Sequence, residues 1–150
     1  GNLDSLRDWG HAKEYVEVQW KILQQEKADD FVISTGRQSS VREFIELAAK
    51  CLDWEGIVWE GKGLKEVGRR ADTNKVVIKI DPRYFRPTEV DTLLGDATKA
   101  REKLGWVPKI SLNQLVMEMV EEDKRQVQKE ALIKSQGFDN NSGMKVSPKS

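Results

Sequence analysis

Two stretches of the chain carry side chains suited to gripping anionic ligands. In "DPRYFRPTEVDTLLGD", residues 81–96, Arg83 and Arg86 share a turn with Pro82, Pro87 and Glu89. Pro87 forces Arg86 out of the helical region, so its side chain leaves an extended, well-fixed segment. A forked cation there suits a diphosphate or a carboxylate, and the Glu89 carboxylate can accept from paired hydroxyls. The same two side chains could instead form a local Arg86–Glu89 ion pair worth about 0 to 1 kcal/mol. In the second stretch, "SLRDWGHAKEY", Arg7 lies just ahead of a helix start with Asp8 and Gly10 at the entry. Free amides, the positive end of the helix dipole and a bidentate guanidinium together suit a phosphate. The competing arrangement is a surface Arg7–Asp8 pair with Asp8 as the helix cap.

Groups that make or break bonds are not found at readable spacing. "GKGLKEVG", residues 61–68, is not GxGxxG and does not open a helix, so it does not read as a dinucleotide cradle. His11 is the only histidine and Cys51 the only cysteine, which argues against a zinc-type metal site and excludes an internal disulfide. Cys51 reads as an inert core thiol inside a helix. Tyr15 is followed four residues on by Gln19 and Tyr84 by Thr88, so neither tyrosine has the lysine that would activate it. No serine, histidine and acid stand together as a nucleophilic triad.

The elements that must position the arginines follow from periodicity. Over residues 12–25, Ala12, Tyr15, Val16, Trp20, Ile22 and Leu23 share one helical face, with Lys13, Glu14, Glu17, Lys21 and Gln24 opposite. "FVIST" reads as a buried strand closed by Gly36. Ser40 and Glu43 stand in capping-box spacing and open a helix with Val41, Phe44, Ile45, Ala48, Cys51 and Leu52 inward. A short strand around residues 57–60 and a third over "KVVIKIDP", stopped by Pro82, flank what reads as a long exposed loop over 61–75. "GDATKAREKLGW" predicts a helix capped by Asp96 and stopped near Gly105. Ser111 and Gln114 open the last helix, with Leu112, Leu115, Val116, Met119 and Val120 inward until Asp123 turns it out of the core. Residues 1–136 read as one small mixed α/β unit and 137–150 as a flexible tail with too little apolar surface to fold alone. Five tryptophans exceed what so small a core needs, so some are expected to face a partner lobe or a ligand.

Twenty-five basic and 25 acidic residues among 150 cancel, so no global field draws nucleic acid or an anionic membrane. No apolar run approaches the roughly 18 residues a membrane helix needs, and a cytoplasmic location is expected. Starting at Gly1, directly in a loop, the chain reads as a portion of a longer one.

"GNLDSLRDWGHAKEYV", "DFVISTGRQSSVREFIE", "VWEGKG" with "EVGR", "DPRYFRPTEVDTLLGD" and "KAREKLGWVPKISL", in that order, resemble the C-terminal half of the GDP-mannose 4,6-dehydratase family of extended short-chain dehydrogenase/reductases. The resemblance implies a substrate-binding lobe without its Rossmann sheet. The Rossmann half would bind NADP and carry the catalytic Thr or Ser, Glu, Tyr and Lys, and the lobe would close over GDP-mannose. The sugar would be oxidised at carbon 4, lose water across carbons 5 and 6, and receive the hydride at carbon 6. The product, GDP-4-keto-6-deoxymannose, would lead to GDP-fucose. Residue by residue, the resemblance implies that Arg7 contacts the GDP portion, Arg86 the diphosphate and Glu89 nucleotide or sugar hydroxyls; Arg83 has no counterpart and reads as surface. It further implies a homo-oligomer, and no turnover by this chain alone. The same residues would also suit a non-catalytic nucleotide-sugar-binding or self-association module derived from such a lobe.

Overall fold

The computed structural model describes residues 1–85 and 94–136; the expected Arg86–Glu89 site and the expected tail over 137–150 lie outside the described residues. The elements run β1 (Leu6–Arg7), α1 (Ala12–Leu23), β2 (Ser39–Ser40), α2 (Val41–Cys51), β3 (Ile57–Glu60), β4 (Val67–Arg70), β5 (Val76–Lys79), α3 (Thr98–Leu104) and α4 (Leu112–Ser135). Short 3-10 turns occupy Gly63–Lys65 and Pro82–Tyr84. The result is a mixed α/β lobe with two small antiparallel sheets, β1-β2 and β3-β4-β5.

Local signals place the helix starts. Ser40 and Glu43 form a complete capping box on α2, and Ser111 and Gln114 form one on α4. The helix α3 begins one residue later than expected: Ala97 is the cap, while the Asp96 Oδ1 still accepts from the Thr98 amide at 2.9 Å. It ends at Gly105 in the left-handed conformation. Beyond Asp123, α4 runs on with exposed side chains almost to its end, as its sequence implies. Met119, expected inward, is exposed; the α4 face that packs on α2 is narrower, centred on the fully buried Val116.

The principal core joins α1 to α3. Val18, Ala100 and Trp106 are buried together, with Tyr15, Ile22, Phe31, Ile33, Ala97 and Leu104 around them. The buried side of α1 is therefore not the expected one. At 100° per residue the lobe covers the arc through Glu14, Val18 and Ile22, rotated by about a quarter turn or more from the centre of the apolar arc. Val16 and Trp20 are each 62 % exposed and Leu23 80 %. Glu14, expected outward, is 8 % exposed. The apolar arc of α1 is wider than this lobe can cover.

Two strand expectations change. Residues 31–35 carry no strand pairing among the described residues. Phe31 and Ile33 pack inward and Val32 is exposed, so the burial alternates as in a strand while the hydrogen-bond ladder is missing. The expected loop over 61–75 instead contains β4, the centre of the three-stranded sheet, paired with both β3 and β5. Its charges had marked it as exposed. Arg69 pairs with Glu60 at 2.8 Å, while Arg70 pairs with Asp72 and stacks over Trp54. Gly68 is needed in β4 because a Cβ there would stand 2.9 Å from Trp59 and 3.0 Å from Ile57.

Candidate functional site

Arg7 stands on β1, two extended residues that pair with β2 directly ahead of α2. The first amides of α2 lack intrahelical partners and find them in the N-terminal segment: Val41 N–H donates to the Ser5 carbonyl at 3.3 Å and Arg42 N–H to Leu3 at 2.9 Å. The Arg42 guanidinium then spans Asp4 at 2.9 Å and Glu66 at 2.8 Å while lying over Trp59. Two acceptors facing one guanidinium raise its pKa and hold it charged. The segment that presents Arg7 is thus fastened to α2 and to the sheet.

Asp8 is not the helix cap. His11 caps α1, accepting from the Lys13 amide through Nδ1 at 3.1 Å, and its Nε2 meets Glu118 at 3.2 Å. Asp8 reaches the other way. Its two oxygens accept from the Thr35 amide at 2.9 and 3.1 Å, the Thr35 hydroxyl at 2.6 Å and the Gly36 amide at 3.1 Å. Trp9 donates its indole N–H to the Ser39 carbonyl at 3.2 Å and packs on Phe44 with ring centroids 4.6 Å apart. Gly10 lets the chain turn against Tyr15, since a Cβ would stand 2.1 Å from the tyrosine hydroxyl. Burial, first, and the nearby Asp8 and Glu14 carboxylates raise the Tyr15 pKa and keep the phenol neutral. Every residue of "RDWGH" therefore has a local task, and Arg7 is the one whose side chain lies exposed, its Nη1 donating to the Leu6 carbonyl at 2.8 Å.

The structure places Arg83 on the 3-10 turn, 78 % exposed and paired with Asp81 through Nη2 at 2.6 Å, the surface role expected of it. That pairing lowers the Asp81 pKa. Arg86 and Glu89 lie outside the described residues, so their distance from Arg7 is not defined. A cleft of about 830 Å³ opens beside these segments, lined among others by Trp9, Thr35, Gly95, Asp96, Trp106 and Ile110. Arg7 does not line it. Sequence reasoning did not find the cleft, Asp8 as a stitch, or Glu14 as a buried acceptor; each depends on partners far along the chain.

Among the described residues no group of acids, cysteines and histidine could hold a metal ion. The glycines at 61, 63 and 68 lead from β3 through a 3-10 turn into β4, a strand-to-strand connection without the helix N-terminus that a dinucleotide pyrophosphate needs. This connection, among the described residues, does not offer the cradle that a nicotinamide dinucleotide would need.

This architecture recurs in larger enzymes. RMD from Pseudomonas aeruginosa, solved with NADPH, superposes at a TM-score of 0.61 over 84 % of this chain and 35 % of its own, with 18 % identity. UDP-glucose 4-epimerase from Thermotoga maritima, solved with UDP-glucose, superposes at 0.62 over 85 % and 34 %, with 24 % identity. At such identities the likeness carries the fold alone: a small mixed α/β lobe that recurs within these larger chains. Residues 1–119 match the family model described as GDP-mannose 4,6 dehydratase, and the chain belongs to that family. GDP-mannose 4,6-dehydratase of Yersinia enterocolitica is 50 % identical over 93 % of this chain and 40 % of its own length. A Caenorhabditis elegans GDP-mannose 4,6 dehydratase is 59 % identical over 82 % and 32 %, and the human one 54 % over 82 % and 33 %. The chain thus spans between about a third and two fifths of these curated relatives, in their C-terminal part.

Proposed function

We propose that the chain is the GDP-mannose-binding lobe of an NADP-dependent GDP-mannose 4,6-dehydratase, a lyase that converts GDP-mannose to GDP-4-keto-6-deoxymannose and water on the route to GDP-fucose. The observation that carries this is the family match across residues 1–119. Within it the "RDWG" segment is rigidly held, with its arginine turned outward. In this reading Arg7 and Arg86 grip the diphosphate and GDP end, and Glu89 accepts from nucleotide or sugar hydroxyls. Asp8 and Trp9 act as positioning residues. In this reading they hold the Arg7 backbone against residues 35–39 so that the guanidinium is presented to the substrate at low entropic cost. NADP, when bound by the remainder of the enzyme, accepts and returns the hydride; this chain's own part is to bind the substrate, orient it and exclude water.

The exposed arc of α1, Val16, Trp20 and Leu23, together with Val32 on the unpaired extended segment, supports a remainder that covers them. Residues 31–35 would then gain the ladder they lack. The enzyme is proposed to be cytoplasmic and homo-oligomeric, and the chain inactive alone. The test is a chimera that joins this chain to the remaining part of the Yersinia enterocolitica relative. Assayed with NADP and GDP-mannose, the chimera is expected to form the 4-keto product, the isolated chain none, and the Arg86→Ala chimera at least about tenfold less at low substrate. A chimera that folds but leaves GDP-mannose unchanged would contradict the reading.

A further inference from the structure

The cleft beside Trp9 has a charge asymmetry that the dehydratase reading leaves unused. Seven charged side chains line it, and they differ in what they already hold. Glu43 is spent on the capping box of α2, accepting from the Ser40 amide at 2.7 Å. Glu46 accepts from the Trp59 indole at 3.0 Å. Asp96 accepts from the Thr98 amide at 2.9 Å, and the Thr98 hydroxyl, first, with that amide holds its pKa low. All three carboxylates are engaged. The cations are less committed. Among the described residues Arg37, Lys50 and Lys109 make no side-chain hydrogen bond or ion pair, and Arg101 donates to the Thr98 hydroxyl at 3.0 Å and helps to hold the Asp96 pKa low through its charge. They come from four different segments: the turn before β2, the last turn of α2, α3, and the connection between α3 and α4.

Convergence of uncommitted donors from separate elements is what distinguishes a site from a solvated charged face, where like charges on one element point apart. Guanidinium and ammonium groups of this kind hold phosphate oxygens, the guanidinium through a fork and the ammonium as a point charge. The cleft volume, about 830 Å³, is that of a small-molecule site. Trp9 and Trp106 add apolar walls. We infer that this cleft, which Arg7 does not line, is an anion site distinct from the proposed GDP site, and that it takes a small phosphate-bearing molecule through Arg37, Lys50, Arg101 and Lys109. It goes beyond substrate binding, and holds whether or not the lobe binds GDP-mannose.

The test uses inorganic pyrophosphate as the probe and isothermal titration calorimetry of the full chain in an Arg7→Ala/Arg86→Ala background, which removes the competing candidates for diphosphate. Binding is expected to persist there and to weaken as salt rises. Adding Arg37→Ala and Lys50→Ala, both exposed and unpaired in the fold, is expected to weaken it by about tenfold or more. Lys109→Ala provides a second, independent loss, with circular dichroism confirming that each variant is folded. No pyrophosphate heat in the Arg7→Ala/Arg86→Ala chain, or an affinity unmoved by the Arg37, Lys50 and Lys109 substitutions, would overturn the inference. GDP affinity of the Arg37→Ala/Lys50→Ala chain with Arg86 intact is expected to be unchanged, which separates this site from the substrate site; a GDP loss equal to the pyrophosphate loss would merge the two and overturn it as well.

Discussion

A carboxylate withdrawn from water needs donors, and Glu14 finds them in backbone. Its Oε1 accepts from the amides of Lys109 at 2.6 Å and Ile110 at 3.1 Å, and its own carbonyl accepts from the Trp106 indole at 3.2 Å. One residue of α1 thus ties down the connection that leads into α4. Removing the acceptor strands two part-buried amides, so Glu14→Ala is expected to cost about 2 kcal/mol, and Glu14→Gln, which keeps an acceptor, less. Urea denaturation checks this against Glu17→Ala on the exposed side, expected near zero; equal midpoints for the two alanine variants would refute the account. Asp8 works by the same logic toward Thr35 and Gly36. Neither role was legible in sequence, because a carboxylate's partner 27 or 95 residues away leaves no local spacing to read. Arg7 was marked out by its motif, and the structure puts it exposed on β1, paired in register with Ser39 of β2.

At the scale of elements, what could be read was again what is local. The capping boxes at Ser40 and Ser111 are set by residues three apart, and both helices start where that spacing says. Strands were harder, since a strand exists only if a partner lies alongside. The charged β4 is a strand because β3 and β5 flank it, and the apolar segment 31–35 is not one because no described strand pairs with its backbone. An ion pair across elements makes a pH prediction. Asp29 accepts from Lys99 at 2.5 Å and Lys103 at 2.9 Å, fastening the segment after α1 to α3. These bonds hold its carboxyl well below the usual range. A depressed folded pKa means that the stabilisation is complete above the ordinary carboxylate value, about 4, and is lost as pH falls below it toward the folded value. Asp29→Asn is therefore expected to lower Tm slightly at neutral pH and to flatten the decline in Tm below about pH 4, the difference shrinking in high salt. An unchanged acid limb in thermal melts would remove Asp29 from the account.

For the molecule as a whole, the decisive feature is an apolar arc on α1 wider than its lobe. Periodicity placed Ala12, Val16, Trp20 and Leu23 on one apolar face, and the structure leaves Val16, Trp20 and Leu23 of that face exposed. The lobe takes the Val18 side and leaves Trp20 and Leu23 to solvent. If the remainder of the enzyme covers that side, Trp20→Ser should change the stability of the isolated chain little and that of the chimera by about 2 kcal/mol or more. Comparable losses in both, measured by denaturant midpoints, would mean that Trp20 is not at the seam. The coverage of only about a third to two fifths of the relatives' length agrees with a molecule whose chemistry lies elsewhere. In the proposed reading, this chain's own part is to hold the nucleotide. The most direct measurement is calorimetric titration of the isolated 150-residue chain with GDP. Binding that weakens by about tenfold or more in Arg86→Ala, and also falls in Arg7→Ala, is the predicted result. No GDP heat from a folded chain, or an affinity indifferent to both arginines, would contradict the claim that this lobe carries the substrate site.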